Sequence, residues 1–449
     1  MRFVSTRGNA APASLSEALL GGAAPDGGLY MPEVVPWAQL SKLASKHSLA
    51  DFAGAVLRPF FEGDLLESEL SAICEEAFDF PVPIARSERQ PTLRSLELFH
   101  GPTGAFKDFG ARFLMACFDR LGRGERLTVL AATSGDTGAA VGCAAEGRVG
   151  VEAIVLYPKD RVSPFQERQL TCWGENVRAI EVEGDFDDCQ RLVKGALGDQ
   201  RLARDLQLTS ANSINIGRLL PQLAYSAWAA ARVQADSGEI PGFVIPTGNL
   251  GHGLAVLLAR AMGLPVGPVV LATNANRTLK DWSEHGRFEP RASVPTLANA
   301  MDVGNPSNFE RLAFLSSEAR QVRVELVGDH EIRARIASEY CAERRLLCPH
   351  SATAVEAWWR LSEREERPWI VAATAHPYKF AEVVDPLVGC EVEPSAALAA
   401  IAGRGERKIR IPARLDALVD ELDGSSSAVS NPSEGDWPKA ARSAAVGPP

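Results

Sequence analysis

Short apolar runs recur through the middle of this chain, each followed by a longer stretch in which apolar residues return every three or four positions. The runs Leu127 to Ala132, Ala153 to Tyr157, Val177 to Val182, Phe243 to Pro246, Val269 to Ala272 and Trp369 to Ala373 predict buried strands. Strands alternating with helices predict an α/β core on a mostly parallel sheet covered on both faces. Ligands of such cores sit beyond the carboxyl ends of the strands, so the residues just after each run are where chemistry is sought.

The flanks read differently. From residue 1 to about 95, turn signals such as Pro25-Asp26-Gly27-Gly28 alternate with amphipathic runs at Trp37 to Leu49 and Leu65 to Phe78, which predicts a mainly helical N-terminal domain. Beyond Glu393 the alternation stops. A basic run, Arg404 to Arg414, leads into an amphipathic Leu415 to Leu422 and then a Gly/Ser/Pro-rich end from Asp423. That end has too few apolar residues to offset its ordering entropy and is expected to be a disordered tail. The domain expectation is therefore 1–95, a core over 96–392, and an extension over 393–449.

Composition narrows the function. A chain of 449 residues, 46% hydrophobic and 23% charged, is long enough for two or three domains. Its net charge of -10 argues against a nucleic-acid or anionic-membrane surface, which would need clustered Lys and Arg. The eight cysteines include no C-x-x-C pair, so neither a disulfide framework nor a metal site is expected. The N-terminal residues show no apolar leader and no segment reaches the ~20 apolar residues of a membrane span, so a cytoplasmic location is expected.

Four stretches carry candidate chemistry. In His100 to Gly110, a Gly/Pro-rich turn precedes a helical pattern of Phe106, Phe109, Phe113 and Leu114, placing Lys107 in a first helical turn packed on a core. The helix dipole and burial both disfavour its ammonium form, and a neutral amine suits Schiff-base chemistry; a solvated lysine paired with Asp108 is the alternative. After the first strand, Thr133-Ser134-Gly135-Asp136-Thr137-Gly138 opens a helix, either holding an anion or the oxygens of an aromatic cofactor, or simply capping the helix through Ser134 or Asp136. After a later strand, Gly248-Asn249-Leu250-Gly251-His252-Gly253 lets backbone approach a phosphate at a helix N-terminus, though such a turn is often only a turn. Its spacing is not G-x-G-x-x-G, which removes the main support for a dinucleotide enzyme. Thr374, after the last strand, is either a hydroxyl partner for a ring nitrogen or a cap for a helix begun by Pro377, and His376 reads as structural.

Taken together, these stretches resemble the threonine synthase family, pyridoxal 5'-phosphate (PLP) enzymes of the tryptophan synthase β-like fold. Further runs extend the resemblance: Ser5-Thr6-Arg7-Gly8, Ala24 to Tyr30, Gly184 to Gln190, Asn212 to Arg218 and Asn299 to Arg311. Residues 5 to about 380 are covered, in order. The chain departs from the family at Ile216-Gly217, where an aromatic-Ala pair is common, and at Arg277, where Asp is common.

The resemblance implies PLP fold type II, with two open, mostly parallel sheets flanked by helices and a smaller subdomain at roughly 126–235. It implies conversion of O-phospho-L-homoserine and water to L-threonine and phosphate. Lys107 would be the catalytic lysine that also binds PLP. Ser134, Asp136, Gly248, Asn249, Leu250, Gly251 and Thr374 would bind the cofactor, and Thr137, Asn212, Ser213 and Arg218 the substrate. A PLP phospho-lyase releasing a keto acid would retain the same cofactor residues, and a non-catalytic metabolite-binding protein could retain the fold.

Overall fold

The computed structural model describes residues 1–39, 48–122, 126–315, 318 and 321–426. Thirteen strands are found among them: β1 Phe3–Ser5, β2 Tyr30–Pro32, β3 Ile84–Arg86, β4 Leu93–Glu97, β5 Leu127–Ala132, β6 Val151–Pro158, β7 Val177–Glu183, β8 Leu208–Ser210, β9 Gly242–Pro246, β10 Val269–Thr273, β11 Arg323–Leu326, β12 Trp369–Ala373 and β13 Ile409–Pro412. They form a six-stranded sheet ordered β11-β10-β9-β12-β4-β3, a five-stranded sheet ordered β13-β7-β6-β5-β8, and the pair β1-β2. The five-stranded sheet is wholly parallel, and in the larger sheet β3 alone runs antiparallel to its neighbour.

The expected strands are the ones buried on both faces. Every residue of β5, β6, β9, β10 and β12 is buried, the pattern that an apolar run of four to eight residues encodes in a parallel sheet. The strands that hydrophobic pattern does not reveal are polar or lie at an edge. In β4, the Arg94 guanidinium folds back on the carbonyls of Pro91 and Leu93. In β13, Ile409 and Ile411 alternate with charge, and Arg410 and Lys408 both pair with Glu181 of β7. Strand-helix alternation thus continues past Glu393, contrary to the sequence expectation, and the small sheet takes its edge from the C-terminal segment.

Two other expectations change. The N-terminal segment contains the antiparallel pair β1-β2 as well as helices Leu15–Gly21, Leu49–Phe61 and Leu70–Ala77. The helix expected over Trp37 to Leu49 falls mostly on residues outside the described ones. At the other end, helix Leu415–Ser426 runs past Asp423 and buries Leu418 and Leu422 in the core of the small subdomain. The rest of the expected tail lies outside the described residues.

Strand order locates the site. In the large sheet the direction of winding reverses between β9 and β12, and in the small sheet between β5 and β8. Connections diverge at such switch points and leave a crevice at the carboxyl ends of the strands. The segments following β9, β12, β5 and β8 are Pro246 to Gly251, Thr374, Thr133 to Thr137 and Ala211 to Arg218, so the two crevices face each other.

Candidate active site

Lys107 is the first residue of helix Lys107–Leu121. The loop leading to it is stitched to the chain beyond β12: Phe106 N–H donates to Thr374 O at 2.8 Å and His376 N–H to Gly104 O at 2.9 Å. Gly104 turns with φ +67°, and a Cβ there would lie 3.0 Å from Leu398. Lys107 and Thr374 are thereby fixed relative to each other through backbone. The Lys107 ammonium lies 4.6 Å from the centre of the Phe106 ring. Burial, followed by the neighbouring Arg218 charge, lowers its pKa from 10.5 to about 8. That raises its neutral fraction at pH 7 by roughly several hundredfold.

Across from Lys107, β9 ends in a glycine-bearing turn. A Cβ on Gly248 would stand 2.7 Å from the Met301 Cα and 3.2 Å from the Ala300 carbonyl oxygen, so only glycine fits. Leu250 adopts a left-handed conformation (φ +66°), and helix Gly251–Ala261 then starts without a side-chain cap. Its first N–H groups are left for a ligand. The Asn249 side chain braces the turn, donating to Ser213 Oγ at 2.7 Å and accepting from Ser307 N–H at 2.5 Å.

The small subdomain supplies the opposite wall. Thr133 Oγ1 accepts from the N–H groups of Gly135 and Gly138 at 3.0 and 2.9 Å, which shapes the turn carrying Ser134 and Thr137. The helix that follows is capped by Gly135 at φ +139° with no side-chain cap, so neither Ser134 nor Asp136 acts as its cap. Asp136 instead pairs with Lys379 at 2.7 Å. Asn212 uses both ends of its amide on Ala132, accepting from its N–H at 3.1 Å and donating to its carbonyl at 2.7 Å. Ser213 Oγ accepts from Asn249 and from Asn308, at 2.7 and 3.3 Å, which leaves its own proton to donate. Arg218, in the first turn of helix Ile216–Ser237, is buried and donates from Nη1 to Ala211 O at 2.8 Å. Burial lowers it to about 10, which leaves it charged at neutral pH.

All twelve residues named as candidates in the sequence border one cavity between the two sheets. Thr374 is buried and is not a helix cap; His376 Nδ1 takes that role, accepting from Tyr378 N–H at 3.3 Å. Two further residues on the cavity, His350 and His252, are not among those candidates. His350 accepts from Ala300 N–H through Nε2 at 3.1 Å and is pushed down to about 4 by burial. His252 stacks on Phe106 at 5.1 Å and is pushed down to about 3, also by burial. Its position inside the glycine run was visible in the sequence. Arg311, fully buried, donates to the carbonyls of Tyr30, Ser213 and Ile214 and to Asn308 Oδ1, and so braces the Ser213 segment.

The cavity floor is polar and incompletely paired. Arg218 Nε, Gln222 Oε1 and both ring nitrogens of His252 are buried without a hydrogen-bond partner among the described residues. An unsatisfied buried polar atom costs ~1–3 kcal/mol, so this floor is built for a polar occupant. A low-pKa lysine, an uncapped helix start behind a glycine that admits no Cβ, and a buried hydroxyl at Thr374 together fit PLP: an amine for its aldehyde, donors for its phosphate, and a neutral partner for its ring nitrogen.

Comparison with known proteins agrees. Residues 94–375 match the family of pyridoxal-phosphate dependent enzymes, residues 2–78 the threonine synthase N terminus, and residues 351–421 the threonine synthase C-terminal family. The chain is 36% identical to threonine synthase of Haemophilus influenzae, over 84% of this chain and 89% of that protein. It is also 36% identical to that of Pseudomonas aeruginosa, over 94% and 98% respectively. The chain belongs to the threonine synthase family. In three dimensions it is similar to the crystal structure of the Escherichia coli threonine synthase, with TM-score 0.88 and 33% identity over 95% of this chain and all of that one. A PLP-bound threonine synthase from Brucella melitensis matches with the same TM-score at 35% identity, again over 95% and 100%. As a member of this family the chain is a PLP-dependent enzyme of fold type II, and its cofactor is PLP. No helix among the described residues is long and apolar enough to cross a membrane.

Proposed function

We propose that this chain converts O-phospho-L-homoserine and water to L-threonine and phosphate in the cytoplasm. The observation that carries this reading is that one cavity offers two separate places for an anion. The N-terminus of helix Gly251–Ala261 behind Gly248 suits the cofactor phosphate. Arg218, with an unpaired Nε–H, and the free proton of Ser213 suit a second one, and Thr137 borders the same cavity.

When bound, PLP supplies the electron sink that makes protons on substrate carbons removable. The residues do the rest. Lys107 would hold the cofactor through its Nζ, and that amine, once free, would move protons at the substrate's α-, β- and γ-carbons. An amine near pKa 8 can both accept and return those protons near neutral pH. Arg218, Ser213 and Thr137 hold the γ-phosphate as its C–O bond breaks. Asn212, oriented by its two bonds to Ala132, keeps a second amide N–H that the substrate can use. Thr374, a hydroxyl in place of a carboxylate, would serve the cofactor's ring nitrogen without forcing its protonation. Of the division 1–95, 96–392 and 393–449, the first boundary falls inside β4 (Leu93–Glu97) of the large sheet and the last segment supplies β13 to the small sheet, so the core around this site draws on all three segments.

The test is to incubate the PLP-loaded enzyme with O-phosphohomoserine and measure threonine, phosphate and keto acid together. Threonine and phosphate in equal amounts support the proposal. Phosphate with keto acid indicates a phospho-lyase, and no turnover with substrate bound indicates a binding protein.

A further inference from the structure

The chemistry uses one lysine, yet a second is sealed beside the site. Lys379 lies in the short turn Pro377–Phe380 after β12 of the large sheet, and its side chain is 0% exposed. Its Nζ stands 2.7 Å from Asp136 Oδ1 and donates to Thr103 O at 2.9 Å. Thr103 in turn donates from N and Oγ1 to Asp108, at 2.9 and 2.5 Å. Asp108, the residue after Lys107, and Asp136 are thus linked through Thr103 and Lys379 in one buried chain. Gln166 adds a weaker bond to Asp136 at 3.4 Å, and Gln169 donates to Thr103 O at 3.0 Å.

Asp136 is a carboxylate on the wall of a cavity that must admit two phosphate groups. Unpaired, it would repel them and bear the full cost of its own burial. Against burial, which pushes its carboxyl up, the Lys379 ammonium holds it below the usual carboxylate range. The pair also joins the two sheets: Lys379 belongs to the large one, and Asp136 opens the small subdomain's helix Asp136–Ala145. Ser134 and Thr137, on either side of Asp136, border the cavity.

We propose that Lys379 is a positioning residue that neutralises Asp136 and clamps the Ser134–Thr137 turn of the small subdomain against the large sheet, setting the distance between Lys107 and the substrate's phosphate. The clamp does not touch the reacting atoms, and its effect on substrate rests on the function proposed above. The other titratable groups around the pair are Lys107, Asp108, His350, His376 and Cys348, with the Arg218 guanidinium next to Lys107 and Asp108.

Three variants of the PLP-loaded enzyme test this: Lys379→Met, Asp136→Asn and the double variant. Without substrate, the visible band of the bound cofactor is titrated with pH. Lys379→Met leaves an uncompensated anion near Lys107 and raises the titration midpoint. Asp136→Asn leaves an uncompensated cation and lowers it. The double variant, neutral like the native pair, returns close to the wild-type value. With substrate, Lys379→Met raises KM by at least about tenfold, more than it lowers kcat, and the double variant recovers part of that loss. Midpoints that move in the same direction, or a double variant that behaves like Lys379→Met, would overturn the proposal. So would a lower Tm with an unchanged midpoint and KM. The spectral arm needs no turnover, so it stands even if O-phosphohomoserine is not the substrate.

Discussion

Arg218→Ala separates the two anion sites. The guanidinium is 3% exposed, keeps one bond to Ala211 O, and has an Nε–H with no partner. It fits there because position 110 is glycine: a Cβ on Gly110 would stand 2.7 Å from Arg218 Nε. Removing one partner of a buried charge pair costs ~2–5 kcal/mol, or roughly 30-fold to a few thousandfold in affinity. The lower part of that range is expected, because Ser213 and Thr137 would remain. Titration calorimetry of the PLP-loaded enzyme with O-phosphohomoserine, and separately with inorganic phosphate, reads the loss directly. The visible cofactor band and the PLP dissociation constant should stay near wild type, since the glycine turn holds that phosphate. Arg218→Lys should recover only part of the affinity, because an ammonium cannot offer two parallel N–H donors. Gly110→Ala should mimic the defect by displacing the guanidinium. Unchanged substrate affinity in Arg218→Ala, or loss of PLP in its place, would refute the assignment of the two sites.

Three more outcomes are expected. Thr374→Val keeps shape but removes the hydroxyl, and should slow α-proton exchange in deuterated buffer more than it weakens PLP binding; equal rates would detach Thr374 from the ring nitrogen. Because the Lys107 pKa is lowered from 10.5 to about 8 on folding, the unfolded chain holds the proton more tightly between those values, so raising pH across that window favours the folded state. Cofactor-free Lys107→Met lacks this term, and its stability relative to cofactor-free wild type should fall by up to about 3 kcal/mol from pH 8 to 10.5; a gap independent of pH, read by denaturant titration, would contradict the burial argument. Truncation after Ser426 should leave Tm and turnover unchanged, whereas Leu418→Ala should lower stability by ~2–5 kcal/mol because Leu418 is fully buried.

Much of this architecture is legible in the chain because parallel strands buried on both faces leave uninterrupted apolar runs. β5, β6, β9, β10 and β12 are of that kind, and in β7 Arg178 and Glu181 interrupt the run but leave Ala179, Ile180 and Val182 buried. β4 and β13 were not: Arg94 interrupts β4 and is satisfied by the carbonyls of Pro91 and Leu93 beside it, while Arg410 of β13 pairs with Glu181, a residue that a local window does not weigh with it. The site divides in the same way. Lys107 and the glycine turn announce themselves because their chemistry is local: a lysine opening an apolar helix, and glycines where no Cβ fits. The partners of Asp136 and Ser213 do not. Lys379 is 243 residues from Asp136, and Asn308 is 95 from Ser213, and only the meeting of the two switch points brings them together. For the same reason, only Lys379 and His376 show that Asp136 and Thr374 are not helix caps.

With one lysine and two anion sites, the proposed reaction eliminates phosphate by breaking its bond to carbon and then adds water at the neighbouring carbon. Turnover of O-phosphohomoserine by the PLP-loaded enzyme in ¹⁸O-labelled water, with mass spectrometry of both products, tests it directly. The account predicts one ¹⁸O in the β-hydroxyl of threonine and none in the phosphate. Label in the phosphate would mean hydrolysis at phosphorus, and unlabelled threonine would mean a hydroxyl from another source; either result would contradict it.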